Sequence, residues 1–218
     1  MKRLFLVALL LSSQTLWAQV DVEALLIGLG QRDQQVRLDL LRCQQEQKID
    51  SLMFYAEKMV EVDAENQQSL ALLLESDGIP KGVSDEAYNA IFLVVQHAEL
   101  DYQKRYFKTL KRAAKEGLLD RSQLNTLHDR ILMLSGRRQL YGTQTVSNML
   151  IVEGEKFPQQ VNYVWPVRWA ASVDKRRLKS DQGSMQKQCE AHEKLGYKVV
   201  WDRSLSVREF QAMMATQK

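Results

Sequence analysis

The sequence predicts a mainly α protein, a single-domain helical bundle with a small irregular or β-containing C-terminal portion. The chain has only 10 Gly and 3 Pro among 218 residues, too few for a sandwich or barrel of many short strands. Apolar residues recur at helical spacing as far as Gly136. A composition of 45% hydrophobic and 26% charged residues is that of a globular domain rather than a disordered chain.

Residues 1–18 are predicted to be a signal peptide. Lys2 and Arg3 precede the apolar run from Leu4 to Leu11, and Ala18 is a small residue suited to cleavage. The alternative is a membrane anchor, but a spanning helix needs about 20 apolar residues, and polar Ser12 follows this run too soon. We therefore expect residues 19–218 to form a single helical domain, periplasmic or secreted, in a bacterium.

The charge balance argues against a nucleic-acid partner. Removing Lys2 and Arg3 from 30 basic residues leaves 28 against 27 acidic ones, so the net charge falls from +3 to +1. A small polar ligand or another envelope protein is the expected partner, and no span is expected after cleavage. Cys43 and Cys189 are the two cysteines. Export would permit a disulfide between them, and two separate thiols are the equal alternative.

The first helical region is predicted over residues 21–76. Gly28 and Gly30 suggest a break after a short first segment, and Asp63 caps or bends a further run. The segment Asp77-Gly78-Ile79-Pro80 ends this region, because Gly suits a left-handed cap and Pro cannot continue a helix.

A second group of helices follows. Ser84 is the predicted N-cap of a helix from Asp85 to about Glu116, which Gly117 ends. Its stretch Ala90 to Val95 is apolar on every face and predicts the core. Another helix begins at Asp120 or Ser122 and runs to Gly136.

The chain changes character after Gly136. Residues 139–144 are loop-like or extended, and the aromatic, β-branched residues 161–169 predict one or two short strands that Pro166 places at an edge or breaks. Helix is predicted again for residues 172–195, then a short segment from Lys198 to Trp201, then a last helix near Ser206 to Met214.

His97 is the best candidate for acid–base chemistry. On one continuous helix His97 and Asp101 share a face, and an Asp can orient an imidazole for general base catalysis. The alternative is a buried, purely structural pair. Asp33 and Arg37 are also four residues apart, which is usual for a surface helix pair.

Two further elements carry polar groups. Arg130, after Asp129, could bind a carboxylate or phosphate, or tie its helix to a loop. Residues 139–144 (QLYGTQ) offer amides, a phenol and a hydroxyl, as suits a ligand rim or a pinned loop. The sequence has no zinc-protease, nucleotide-binding or serine-hydrolase motif, so no metal and no cofactor is predicted.

Together these elements resemble a bacterial, often exported family of unknown function. The matching elements are Asp33-Gln34 with Arg37, Gly78-Ile79-Pro80, Gln96-His97-Ala98 with Asp101, Asp129-Arg130, Gly136, residues 139–144 and a late Asp174 to Arg177. The resemblance covers roughly residues 25–180. Ile79 stands where the pattern often has Trp, which implies a different pocket wall.

The resemblance implies that these polar residues meet in space and satisfy one another or a ligand. The residues expected to bind ligand are Gln34, Arg37, Asp129, Gln139, Tyr141 and Gln144. The main hypothesis is a binding or structural module whose buried polar cluster holds a small polar ligand. The alternative is an envelope hydrolase in which His97 is the general base, Asp101 orients it, Arg130 and residues 139–144 bind the substrate, and water is the nucleophile.

Overall fold

The computed structural model describes residues 2–150, 159–194 and 196–216, with side chains from residue 22 onward. This described part is mainly helical with a small sheet near the C-terminus, which confirms the predicted fold class. Its contacts divide the chain into two compact units. Unit 1 is Met1–Tyr102 with Lys108–Leu119, and unit 2 is Gln103–Phe107 with Asp120–Lys218. That residues 19–218 form one domain stays a prediction.

The predicted signal peptide, residues 1–18, falls in the segment whose side chains are not described. Export therefore stays a prediction too. Among the described residues, no helix combines the length and apolarity needed to cross a membrane.

Unit 1 is built from α1 (Lys2–Gln45), α2 (Ile49–Ser76), α3 (Asp85–His97) and most of α4 (Leu100–Lys115). Helix α1 packs against both α2 and α3. Apolar side chains from all three helices are fully buried between them, and these include Leu26, Leu29, Leu70, Ile91 and Val95.

The predicted break at Gly28 and Gly30 is wrong, because α1 continues through both residues. The chain turns instead at Gln47, whose φ is 55°. Gly30 has a packing role. A Cβ atom at this position would lie 2.8 Å from the Cβ of Ala90 on α3, so only glycine lets the two helices approach this closely. Asp63 does not cap a helix, since α2 continues through it.

The helix ends around Gly78 are as predicted, but the long helix after Ser84 is not. Helix α2 ends at Ser76, Gly78 has a φ of 72°, and the Ser84 hydroxyl caps α3 by accepting the Ala87 N–H. The predicted helix to Glu116 is instead two helices, because Ala98 and Glu99 are extended, with ψ of 167° and 158°. No Gly or Pro marks this break, so it could not be predicted from residue types.

Unit 2 contains α5 (Arg121–Leu134) and a three-stranded sheet. Helix α5 starts after Asp120, the first of the two predicted start positions. The strands are β1 (Thr145–Leu150), β2 (Gln159–Val164) and β3 (Lys198–Val200). Strand β2 is central, antiparallel to β1 and parallel to β3. Pro166 lies just beyond β2, consistent with its predicted strand-breaking role.

The remaining helices of unit 2 are α6 (Val173–Leu178), α7 (Met185–Lys194) and α8 (Val207–Thr216), with a short 3-10 turn at Ala170–Ser172 before α6. One apolar cluster packs Phe210 of α8 against β2 and Trp165. A second packs Met185 against Val173 and the end of β2.

Candidate functional site

The predicted polar residues fall into two clusters, one in each unit. We call the first the Asp33 cluster; its members, all in unit 1, are Asp33, Gln34, Arg37, Asp63 and His97. We call the second the Asp129 cluster; its members, all in unit 2, are Asp129, Gln139, Tyr141, Thr143, Gln144, Arg176, Arg177 and Gln188.

His97 pairs with Asp33, which sequence reasoning placed in a surface helix pair. The imidazole Nδ1 lies 2.9 Å from Oδ1 and 3.1 Å from Oδ2 of Asp33. His97 is the last residue of α3, and the Asp33 side chain on α1 is only 1% exposed. The predicted pairing with Asp101 is wrong, because the helix ends at His97 and Asp101 is an exposed residue in the first turn of α4.

Arg37 connects the carboxylates of Asp33 and Asp63. Its NH2 atom donates to both oxygens of Asp63 at 2.9 Å, and its NH1 atom lies 3.1 Å from Oδ1 of Asp33. The Gln34 amide donates to Oδ2 of Asp33 at 2.7 Å. Asp33 thus receives the imidazole, the guanidinium and an amide, so its burial is well compensated.

The contact with Asp33 defines which nitrogen of the His97 imidazole carries a proton. Burial acts to raise the pKa of Asp33, but the hydrogen bond and charge of His97, with Arg37 and Gln34, outweigh it and hold this pKa below its ordinary value. The ionised carboxylate only accepts hydrogen bonds, so Nδ1 of His97 carries the proton. In the neutral form of the ring the lone pair is on Nε2, which makes no hydrogen bond with any described residue.

The Asp33 cluster is open to solvent on one side. The side chains of His97, Arg37 and Asp63 are 23%, 22% and 18% exposed. Burial raises the pKa of Asp63 above its ordinary value, and Arg37 offsets only part of this effect. The groups that solvent can reach are therefore Nε2 of His97 and the ion pair between Arg37 and Asp63.

In the Asp129 cluster, the Asp129 carboxylate holds the loop of residues 139–144 by accepting hydrogen bonds from its backbone. It accepts the backbone N–H groups of Leu140, Tyr141 and Thr143 at 2.7–3.1 Å, and the Thr143 hydroxyl at 3.0 Å. Asp129 is fully buried, and burial raises its pKa against the lowering effect of these hydrogen bonds. These three loop N–H groups are therefore already bound inside the protein.

The carbonyl groups of the same loop are also satisfied. Arg176 Nε donates to the Leu140 carbonyl at 2.9 Å, Arg177 NH1 to that of Tyr141 at 2.6 Å, and the Gln188 amide to that of Gly142 at 2.8 Å. An anion thus holds the N–H groups of the loop and two guanidinium groups hold its carbonyls. This arrangement fixes the loop rather than opening it to a ligand.

Gln139 and Gln144 complete this closed network. The buried Gln139 side chain donates to the carbonyls of Gln144 and Trp165 and accepts the Gln144 N–H. The Gln144 amide donates to Thr143 and to the carbonyl of Thr126. Among the predicted ligand-binding residues of the Asp129 cluster, Tyr141 differs from the others. Its side-chain hydroxyl makes no hydrogen bond with any residue that the structure describes.

A family model matches residues 20–191, described as a family of unknown function (DUF6624). The chain belongs to this family. The DUF6624 region contains both polar clusters and ends within α7, so β3 and α8 lie outside it. Comparison with curated proteins and with solved structures gives no match.

Two other residues of the DUF6624 region that the sequence singled out are Ile79 and Arg130. Ile79 lines a cavity of about 280 Å³ between the end of α2 and the C-terminal half of α4, together with Lys81 and Arg112. The residue at this pattern position therefore does form a pocket wall. Arg130 is half-buried on α5, while the carbonyls of Leu140 and Tyr141 bind Arg176 and Arg177 instead.

Both cysteines are free thiols, Cys43 buried on α1 and Cys189 half-buried on α7. Among the described residues, no group of three or more His, Cys, Asp or Glu is placed to hold a metal ion.

Sequence reasoning missed the two acids that surround Arg37 and His97. Asp33 was available in the motif Asp33-Gln34 with Arg37, but spacing alone could not show that α3 returns alongside it. Asp63 carried no motif at all. Arg177 was noticed only through the late element from Asp174, and Arg176 beside it was not assigned a role.

Proposed function

We propose that this chain is an exported cell-envelope protein that binds a small polar ligand at the Asp33 cluster, through Nε2 of His97. The observation that carries the proposal is the 2.9 Å contact between His97 Nδ1 and Asp33 on a ring that stays 23% exposed. One ring nitrogen is held in place, and the other is left for a partner.

The ligand must bring a hydrogen-bond donor. Because Nδ1 carries the proton, Nε2 of the neutral ring accepts, so its partner is a hydroxyl or an N–H group. Asp63 and Arg37 beside it can bind a second polar group of the same molecule. With a neutral imidazole the cluster holds the carboxyl groups of Asp33 and Asp63 and the single guanidinium of Arg37, which favours a neutral or zwitterionic ligand over an anion.

Export is supported by the sequence of residues 1–18. An envelope location would suit a module that binds a small solute. The pattern of Lys2, Arg3 and the apolar run carries this part of the proposal alone.

A second candidate is hydrolysis. A carboxylate that orients a histidine through Nδ1 is the arrangement of a general base, and Nε2 would then remove a proton from water as it attacks the substrate. Asp33, rather than Asp101, would be the orienting residue. The N–H groups of Leu140, Tyr141 and Thr143 already donate to Asp129. In this candidate the donor to a developing oxyanion is therefore Arg37.

Nitrogen-15 NMR of the imidazole rings tests the binding proposal. The chain has three histidines, so His128 and His192 serve as internal references in the same spectrum. Glycerol, glucose, glycine and acetamide are suitable probes, because each offers hydroxyl or N–H donors. We expect at least one of them to shift the His97 Nε2 resonance saturably while His192 stays unchanged. If none of these four probes moves it at about 10 mM, well above a millimolar Kd, the proposal is contradicted.

A matched pair of variants separates the two ring nitrogens. In His97→Asn the side-chain amide occupies the position of Nδ1 and keeps a donor for Asp33, but Nε2 is lost. In His97→Gln the amide occupies the position of Nε2 instead. We expect His97→Asn to lose probe binding, and, if the chain hydrolyses a chromogenic ester, to lose that activity by about 10²–10⁴-fold. Retained activity in His97→Asn would exclude His97 as the base.

A further inference from the structure

We propose a second binding site, in unit 2, in which the exposed indole of Trp169 stacks on the apolar face of a saccharide ring. Trp169 follows the strand-like segment after β2 and precedes the 3-10 turn Ala170–Ser172. Neither the family match nor the Asp33 cluster involves this side chain in any role. The proposal rests on its backbone, its exposure and its neighbours.

The backbone of Trp169 is strained. Its φ of 50° and ψ of 53° lie in the left-handed region, which a bulky side chain rarely adopts. Glycine would take this conformation at no steric cost. A tryptophan here contributes nothing to the turn that glycine would not, so its side chain has another use.

Several hydrogen bonds hold the strained residue in place. Arg176 NH2 donates to the Arg168 carbonyl at 2.7 Å, and both the N–H and the hydroxyl of Ser172 donate to the Trp169 carbonyl at 3.0–3.1 Å. The same Arg176 holds the Leu140 carbonyl, next to Tyr141. One guanidinium thus fixes the turn that carries Trp169 to the closed Asp129 cluster, which makes the indole a rigid platform.

The indole is nevertheless displayed to solvent. Trp169 is 60% exposed, and the Arg168 guanidinium lies 4.0 Å from the ring centroid. The guanidinium covers one face of the ring and orients the indole, and because the residue is still 60% exposed, the opposite face is open to a ligand. A sugar ring is complementary to these two groups. Its C–H groups can pack on the indole face, and the hydroxyls around its edge can accept hydrogen bonds from the guanidinium.

A single exposed ring of this size suits a saccharide better than a protein partner. A protein interface would need a broad apolar surface around the ring, whereas the neighbours of Trp169 in the turn are Arg168, Ala170 and Ala171.

Titration of the full chain with cellohexaose and chitohexaose, followed by calorimetry and by tryptophan fluorescence, tests the proposal. We expect millimolar or tighter binding of at least one of them, and a loss of about tenfold or more in Trp169→Ala. Trp201→Phe is the matched control, because Trp201 also stacks with an arginine, Arg203, at 4.5 Å but is partly buried. This control should bind as the unaltered chain does.

Trp169→Gly separates a binding role from a structural one. Since glycine relieves the left-handed strain, we expect this variant to melt about 2–4 °C above Trp169→Ala while binding no saccharide. The proposal is overturned if neither oligosaccharide binds at about 5 mM, or if binding survives in Trp169→Ala. Loss of anionic-vesicle binding in Trp169→Ala, with no saccharide binding, would also overturn it and would indicate a membrane surface instead.

Discussion

His97 Nδ1 and Asp33 Oδ1 lie 2.9 Å apart although 64 residues separate them in the chain. The pair joins the end of α3 to the middle of α1. A second relationship of this kind holds Asp129 under the loop of residues 139–144. The first is half-open to solvent and the second is closed, so the two polar clusters have different consequences when they are altered.

The pH dependence of stability should report on Asp33. Its pKa is lowered in the folded chain, so the contribution of its carboxylate is fully present above the pKa of an unfolded Asp and is lost as the pH falls through the lower folded value. We expect Asp33→Asn to destabilise the chain by about 1–3 kcal/mol at pH 7, and this difference to shrink below about pH 4.

Urea unfolding from pH 7 down to pH 3 measures this effect. Asp39→Asn is a suitable control, since Asp39 lies on the same helix and contacts Gln35 and Arg42 at the surface. A difference between Asp33→Asn and the unaltered chain that stays constant with pH would show that the carboxylate charge is not involved.

Arg37 should matter chiefly because it separates two acids. In Arg37→Met, Asp33 and Asp63 face each other without the guanidinium, and we expect a loss of about 1–2 kcal/mol. In Arg37→Met with Asp63→Asn, one of the two charges is gone and much of the loss should be recovered. Chemical unfolding of the single and double variants measures the coupling. A double variant no more stable than Arg37→Met would refute the electrostatic explanation.

Glycine-to-alanine changes at two neighbouring positions of α1 should have opposite effects. At Gly30 a Cβ would lie 2.8 Å from the Cβ of Ala90, while at Gly28 the nearest atom is the flexible end of Arg32 at 3.6 Å. We expect Gly30→Ala to cost about 1–3 kcal/mol through overpacking, and Gly28→Ala to be neutral or stabilising by up to about 1 kcal/mol. Thermal melting compares them directly, and equal melting temperatures would mean that α1 and α3 do not pack this closely.

The sequence predicted the elements that local chemistry controls. The stop at Gly78, the cap at Ser84 and the start of α5 after Asp120 all depend on residues within a few positions of one another. It could not predict the break at Ala98, which no residue type marks. Strand β1 was missed for a similar reason, because its polar centre at Ser147 and Asn148 gains its place only by pairing with β2.

The sequence predicted several residues of the candidate site but not which of them contact one another. His97, Arg37 and Gln34 do meet, yet their common partner Asp33 is set by how α1 and α3 pack, which spacing within one helix cannot reveal. For the polar loop at residues 139–144 the sequence left two alternatives open, a loop pinned to a polar core and a ligand rim. Which of the two it was depended on Arg176 and Arg177, whose guanidinium groups reach it across 36 residues of sequence.

Urea unfolding of Asp129→Asn beside His97→Asn tests the central claim, that one cluster maintains the fold and the other is held for a ligand. Asn at 129 places a donor among groups that all donate, so we expect a loss of about 2–4 kcal/mol. Asn at 97 keeps the donor to Asp33, so its loss should stay below about 1 kcal/mol while the binding of polar probes disappears. An equal, large loss in both variants would contradict the account, because His97 would then also belong to the scaffold.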